Sequence, residues 1–231
     1  MTALSQENQI RYVSSFQELI SEPFRGEVNA IGWMRQLAGD FSEIVDKIEL
    51  TGNITEVDPE ELLELTLSED GQLARSILLN DLEVLKAHGA APVLNIISQY
   101  DKDEDFPFFP TDVYSFHADR SPIPTSTFLC TYQGDASEIV PNAQATQKIQ
   151  IPEIRNELRK LYDGKEAGFE EFLTENFFDL HYQAAPDARI INLGVGNIWK
   201  LAVDHPGNPV LPCIHRAPHE HSGQKRLLLI C

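Results

Sequence analysis

The chain has 231 residues, 42% of them apolar, which suits one domain with a buried core, or one core with an added layer. Its formal net charge is −18, a field that repels nucleic acid and anionic membranes. No run of 18 apolar residues occurs, so no membrane span is expected.

The start, MTALSQENQIRY, has neither the basic residues nor the apolar stretch of a secretory signal. Cys130, Cys213 and Cys231 are too few and too scattered for a disulfide framework or a Cys-x-x-Cys metal site. A reducing, cytoplasmic location is the expectation. The charge is uneven, −14 over residues 1–109 and −4 over 110–231. It reads either as a solvated acidic helical surface or as a docking face for a cationic substrate or partner.

In chain order, SSFQELI (14–20) reads as a short helix and EVNAIGWM (27–34) as an apolar strand. RQLAGDFSEIVDKIEL (35–50) has helical spacing with a weak point at Gly39. Asp58-Pro59 opens the next helix, supplying an N-cap residue and a proline at the first helical position. Residues 70–89 form the clearest helix, stopped at Gly89.

Beyond Ala90 the pattern changes to short apolar runs broken by turn residues. Strands are expected at 91–100, 112–119, 127–134, 188–194, 197–203, 209–215 and 225–231. A helical insert covers 151–164 and 168–178. About seven strands after residue 90 suit an all-β barrel or jelly roll packed on an N-terminal helical layer.

His117 and Asp119 lie two apart in the run VYSFHADRSP, so on a strand both would leave the same face. A carboxylate on an interior face needs a partner, and a metal ion is one candidate. His215 ends the apolar run VLPCIH, whereas His219 and His221 lie in a polar turn. His117, Asp119 and His215 together have the composition of a 2-His-1-carboxylate facial triad, the donor set of non-haem Fe(II). Arg226 follows His215 by eleven positions and opens the apolar strand RLLLIC, where its fork could clamp a carboxylate. The competing reading is a buried hydrogen-bonded His–Asp pair with no metal, and an Arg226 paired to a structural acid such as Asp119. Asn95, Tyr100, Tyr114 and Tyr132 flank the strands as core or rim residues. Tyr132 and Asn95 are the two taken as candidates for hydrogen-bonding a cosubstrate. Trp199 and the FPFF cluster (106–109) read as core or lid, and GVGN (194–197) is not a dinucleotide fingerprint.

The order His117-x-Asp119, His215, Arg226, with FHAD, FLCTYQGDASEIVPN and PCIHRAPHEHSGQKRLLLI around it, resembles the iron(II)/2-oxoglutarate-dependent oxygenases. With EVNAIGWMR upstream it looks, more narrowly, like a bacterial family of uncharacterised proteins sharing that core. The resemblance is best over 91–231. It implies an α+β chain, a single domain over 1–231. Residues 1–90 would be a mainly helical layer. Residues 91–231 would be a double-stranded β-helix (jelly-roll, cupin-like) core with a helical insert at about 151–180. It implies Fe(II) on His117, Asp119 and His215, and 2-oxoglutarate held at its distal carboxylate by Arg226, with Tyr132 and Asn95 as further contacts. O₂ would complete an oxygenase acting on a small-molecule or amino-acid-like substrate. A carboxylate ligand rather than a small residue at 119 favours hydroxylation over halogenation. Two departures stand out. Leu228 occupies the place where the superfamily often has a serine, and the ligands are 98 residues apart, from His117 to His215. The alternatives are a non-catalytic, cupin-like metal-binding protein, for example one holding zinc, or an acidic interaction module.

Overall fold

The computed structural model describes residues 8–102, 105–219, 221 and 223–231. It is a mixed α+β structure built on one large sheet. The N-terminal part supplies β1 (Ile10–Val13), α1 (Phe16–Ser21), β2 (Ala30–Trp33), α2 (Phe41–Lys47), β3 (Ile54–Glu56), α3 (Pro59–Glu64) and α4 (Glu69–Ala87). There follow β4 (Val93–Ile97), β5 (Ser126–Gln133), β6 (Glu138–Ile139) and β7 (Ala145–Gln147). The insert contributes α5 (Pro152–Leu161) and α6 (Phe169–Glu175). The chain ends with β8 (Tyr182–Ala184), β9 (Ile191–Asn192), β10 (Ile198–Ala202), β11 (His215–Arg216) and β12 (Arg226–Ile230).

The seven-stranded sheet has the order β1–β2–β10–β5–β12–β4–β3. Every neighbouring pair is antiparallel except β1 and β2. Its central strands β5, β10 and β12 are buried on both faces. That is why apolar residues stand side by side in them, as at Phe128-Leu129-Cys130, Ile198-Trp199 and Leu227-Leu228-Leu229, rather than alternating. One face carries Ile31, Leu94, Ile96, Phe128, Cys130, Leu227 and Leu229 and packs on Leu19, Ile44, Leu62, Leu78 and Leu85 of the helices. The other face carries Ala30, Ile97, Leu129, Trp199, Leu201 and Leu228 and packs on Ile139, Leu193 and Cys213. The sheet is thus the middle of three layers.

The third layer is a short ladder. β11 pairs with β6, and β6 with β9. His117 bridges His215 on one side and His181 on the other, with His117 N–H donating to the His215 carbonyl at 2.9 Å and the reverse at 2.8 Å. β8 continues from His181 and pairs with β7. Phe116, Val140 and Ile214 form an apolar cluster on the outer side of this ladder. By alternation, His117, Ile139 and His215 turn inward, toward the large sheet.

The helices begin and end where local chemistry dictates. Ser68 caps α4 by accepting from Gly71 N–H at 3.1 Å, and Gly89 follows the helix at φ +95°, a conformation that costs glycine little. α3 starts at Asp58-Pro59 as expected. Several expectations are corrected. Only 41–47 of the segment 35–50 is helical, because Gly39 at φ +105° breaks it ahead of the Asp40 cap. Segment 112–119 is not a strand but turns and bends, joining the ladder only near His117; 209–215 is irregular until β11. The N-terminal layer is not helical alone, since it gives β1, β2 and β3 to the large sheet. Among the described residues no helix is long and apolar enough to cross a membrane.

Candidate metal centre

The ladder sets three histidines side by side. Residues directly opposite in an antiparallel pair share a face, so His181, His117 and His215 project from neighbouring segments to one side. Ring centroids are 4.5 Å apart for His117–His215 and 5.9 Å for His117–His181. Asp119, two residues after His117, reaches the same place: His215 Nε2 lies 3.6 Å from Asp119 Oδ2. One ligand atom from each of His117, Asp119 and His215 lies within 4.8 Å of the other two.

Each imidazole is oriented by the backbone two residues upstream. His117 Nδ1 is 2.8 Å from the Ser115 carbonyl, and His215 Nδ1 is 3.3 Å from the Cys213 carbonyl. A carbonyl only accepts, so each Nδ1 carries a proton and each Nε2 is the atom left to face a ligand. Burial, and then the neighbouring His215, push the His117 pKa down to about 4, leaving the ring neutral near pH 7. Burial opposes the charge on Asp119, but His215, the Thr127 hydroxyl and His117 together hold its carboxyl below the usual value. Thr127 donates to Asp119 Oδ2 and fixes the carboxylate. Two imidazoles and one carboxylate are the donor types that suit Fe(II), and a bound metal ion would take the deprotonated Nε2 of each ring.

Arg226 is 3% exposed and lies on the sheet face turned toward the ladder, opposite Ile97. Its guanidinium donates to Thr131 Oγ1 at 2.9 Å, Ser137 Oγ at 2.7 Å and Tyr100 Oη at 3.4 Å. Ser137 immediately precedes β6, whose Ile139 pairs with His215. The arginine and the His–Asp–His cluster thus stand on facing layers, the sheet and the ladder. Asn95 is on this face as well, paired with Leu228. Tyr132 is not. It points into the helical layer, stacks on Phe41 at 5.4 Å and donates its hydroxyl to Asp81 Oδ2 at 2.7 Å. Asp81 in turn holds Arg35 bidentately at 2.8 and 2.7 Å. The residue of β5 that faces Arg226 is Thr131.

His219 stacks on Tyr114 at 5.0 Å, and His221 sits 3.5 Å from Asp135 at the surface. Sequence reasoning missed His181, Ser115 and Lys148. Lys148 Nζ donates to Ser115 Oγ at 2.7 Å and to the Pro110 carbonyl at 3.0 Å, and burial pushes its pKa down to about 8. The Ser115 hydroxyl lies 3.4 Å from His181 Nδ1. No local signal marks these residues, because their placement depends on a pairing across more than thirty residues of insert.

No protein-family model, curated protein or solved structure matches the chain.

Proposed function

We propose that the protein is an Fe(II)/2-oxoglutarate-dependent oxygenase on a double-stranded β-helix core, with the large sheet and the short ladder as its two walls. The observation that carries this reading is the convergence of His117, Asp119 and His215 within 4.8 Å, both rings with Nδ1 committed to carbonyls. These residues would hold the iron through His117 Nε2, His215 Nε2 and an Asp119 oxygen, on one side of the ion. Bound iron would couple O₂ to the oxidation of 2-oxoglutarate and of a substrate C–H bond. The protein's own part is positional. Thr127 holds the Asp119 carboxylate, and the Ser115 and Cys213 carbonyls hold the rings. Arg226, steadied by Thr131 and Ser137, offers a planar fork to the far carboxylate of the cosubstrate.

The test is metal content after anaerobic reconstitution, followed by titration with 2-oxoglutarate and a succinate-release assay. Wild-type protein should bind one Fe(II) and develop a charge-transfer band with 2-oxoglutarate. His117→Ala and Asp119→Ala should lose the metal and keep their circular-dichroism spectrum. Full occupancy in both variants would refute the ligand set. Iron binding without the band or succinate would leave only a metal-binding protein.

A further inference from the structure

The inference concerns the substrate class of the site just proposed and rests on that reading for its catalytic meaning. Beside the ligands lies a cleft of about 260 Å³, with His117 and Asp119 in its floor and Val113, Phe177, Leu180 and His181 among its walls. That is the space of about nine water molecules at about 30 Å³ each, enough for a ring with a short substituent.

Phe177 is out of keeping with its backbone. α6 ends at Glu175, Asn176 caps it, and Phe177 occupies the next position at φ +58°, ψ +14°. Helices place glycine, or asparagine, at that left-handed position, because a Cβ is disfavoured there. Among described non-glycine residues, Phe177 alone has a positive φ. The backbone would be served better by glycine. Nor does the ring repay the strain by packing. It is 57% exposed and stands apart from the insert's apolar cluster, which takes in Phe109, Phe169 and the adjacent Phe178. An aromatic side chain held at a strained position, in water, on the wall of the candidate active cleft has a binding role as its remaining use.

The charge of the cleft narrows the ligand. Arg120 is its cationic wall residue among those described, and its guanidinium is already engaged by Asp179 and, at 2.7 Å, by Asp204. With Asp119 in the floor, the net local charge of the metal-free cleft, the form titrated below, is negative, and bound Fe(II) would offset it. We infer that the cleft binds a small neutral or cationic molecule with an apolar, ring-sized body, and that Phe177 is its specificity-determining contact.

Metal-free protein is titrated with benzylamine and with phenylacetate, followed by saturation-transfer NMR. Thermal unfolding is recorded for Phe177→Gly and Phe177→Leu. Benzylamine should bind wild type, weaken about fivefold to tenfold in Phe177→Gly, and fall between in Phe177→Leu. The unfolding midpoint of Phe177→Gly should be unchanged or raised. A lowered midpoint identifies the ring as a packing element and overturns the inference. So does benzylamine binding that ignores Phe177, or phenylacetate binding equally tightly with the same Phe177 dependence. The probes need no iron, so this result and the metal result fail independently.

Discussion

At the scale of single residues, the candidate site restrains the side chains proposed as ligands. Each imidazole is tied at Nδ1 to a carbonyl two positions upstream, so the strand that presents the ring also fixes its tautomer. Asp119 has no such backbone tie; the Thr127 hydroxyl supplies it. Outer partners of metal ligands typically contribute about 10- to 100-fold in affinity. Thr127→Val, nearly isosteric, should therefore weaken Fe(II) binding by that order while the fold persists. Competition against a chromophoric chelator measures it, and an unchanged affinity would mean that Thr127 serves packing alone. Arg226 allows a second prediction. Hydrogen bonds to charged groups contribute about 1.5–3 kcal/mol each, so Arg226→Ala should weaken 2-oxoglutarate binding at least about tenfold. Arg226→Lys keeps the charge without the fork and should fall between. Fe(II) affinity should change little in either, because Arg226 is not among the clustered ligands. Equal 2-oxoglutarate affinity in all three proteins would make Arg226 a structural residue.

At the scale of elements, the contact that docks α4 onto the sheet is a buried polar network. Arg35, just after β2, and Asp81 on α4 have side chains 9% and 1% exposed. Arg35 also donates to the Gly196 carbonyl at 2.8 Å ahead of β10, so one guanidinium joins a helix to two strand ends. Removing one partner from a buried ion pair costs about 3–5 kcal/mol, since the other charge remains in a dry interior. Asp81→Ala should lose stability of that order in urea unfolding, and a loss under about 1 kcal/mol would show that water reaches the pair. Tyr132 belongs to this network. Tyr132→Phe strips a hydrogen bond from Asp81 and should lower stability by about 1–3 kcal/mol. It should leave 2-oxoglutarate affinity untouched. Weakened cosubstrate binding at preserved stability would reverse that assignment.

At the scale of the whole molecule, three layers bury both faces of the large sheet, and the thiols are buried with them. Cys130 and Cys213 are fully enclosed, and all three cysteines are unbridged. Burial pushes the Cys130 thiol up to about 12 and the Cys231 thiol to about 11, from an ordinary value of 9.0. Burial also raises the Tyr132 phenol. The folded protein therefore keeps protons that the unfolded chain gives up above pH 9. Stability is fully present below that pH and falls as pH climbs through the window from 9 toward 12. Each such group contributes a slope of up to about 1.4 kcal/mol per pH unit. Cys130→Ala should lower stability at pH 7 through the small cavity it leaves, yet flatten the decline between pH 9 and pH 11. Denaturant midpoints across that range test this, and an unaltered slope would mean that Cys130 titrates normally.

Much of the local structure was legible without coordinates. The 19-residue α4 announces itself through helical periodicity and Gly89, and the central strands through apolar runs. These signals are legible because dihedral preference and burial act over a few residues. The nearness of His117, Asp119 and His215 was likewise legible as residue types in order. The edge strands β1 and β3 were not, since they are half-exposed and short, with little to alternate. Nor was β6, while β9 and β11 keep only two residues each at the places where the strands 188–194 and 209–215 were expected, because all three exist only through their partners. Tyr132 against Thr131 turned on which face of β5 meets the helices, and a strand buried on both faces gives no such sign. His181 entered the row of histidines, and Phe177 the cleft, through pairing across the insert. Sequence by itself determined which groups are present and which segments coil or extend, because those depend on near neighbours. Only the tertiary structure decided which groups face one another, because that depends on pairings between distant residues whose energy no local pattern records.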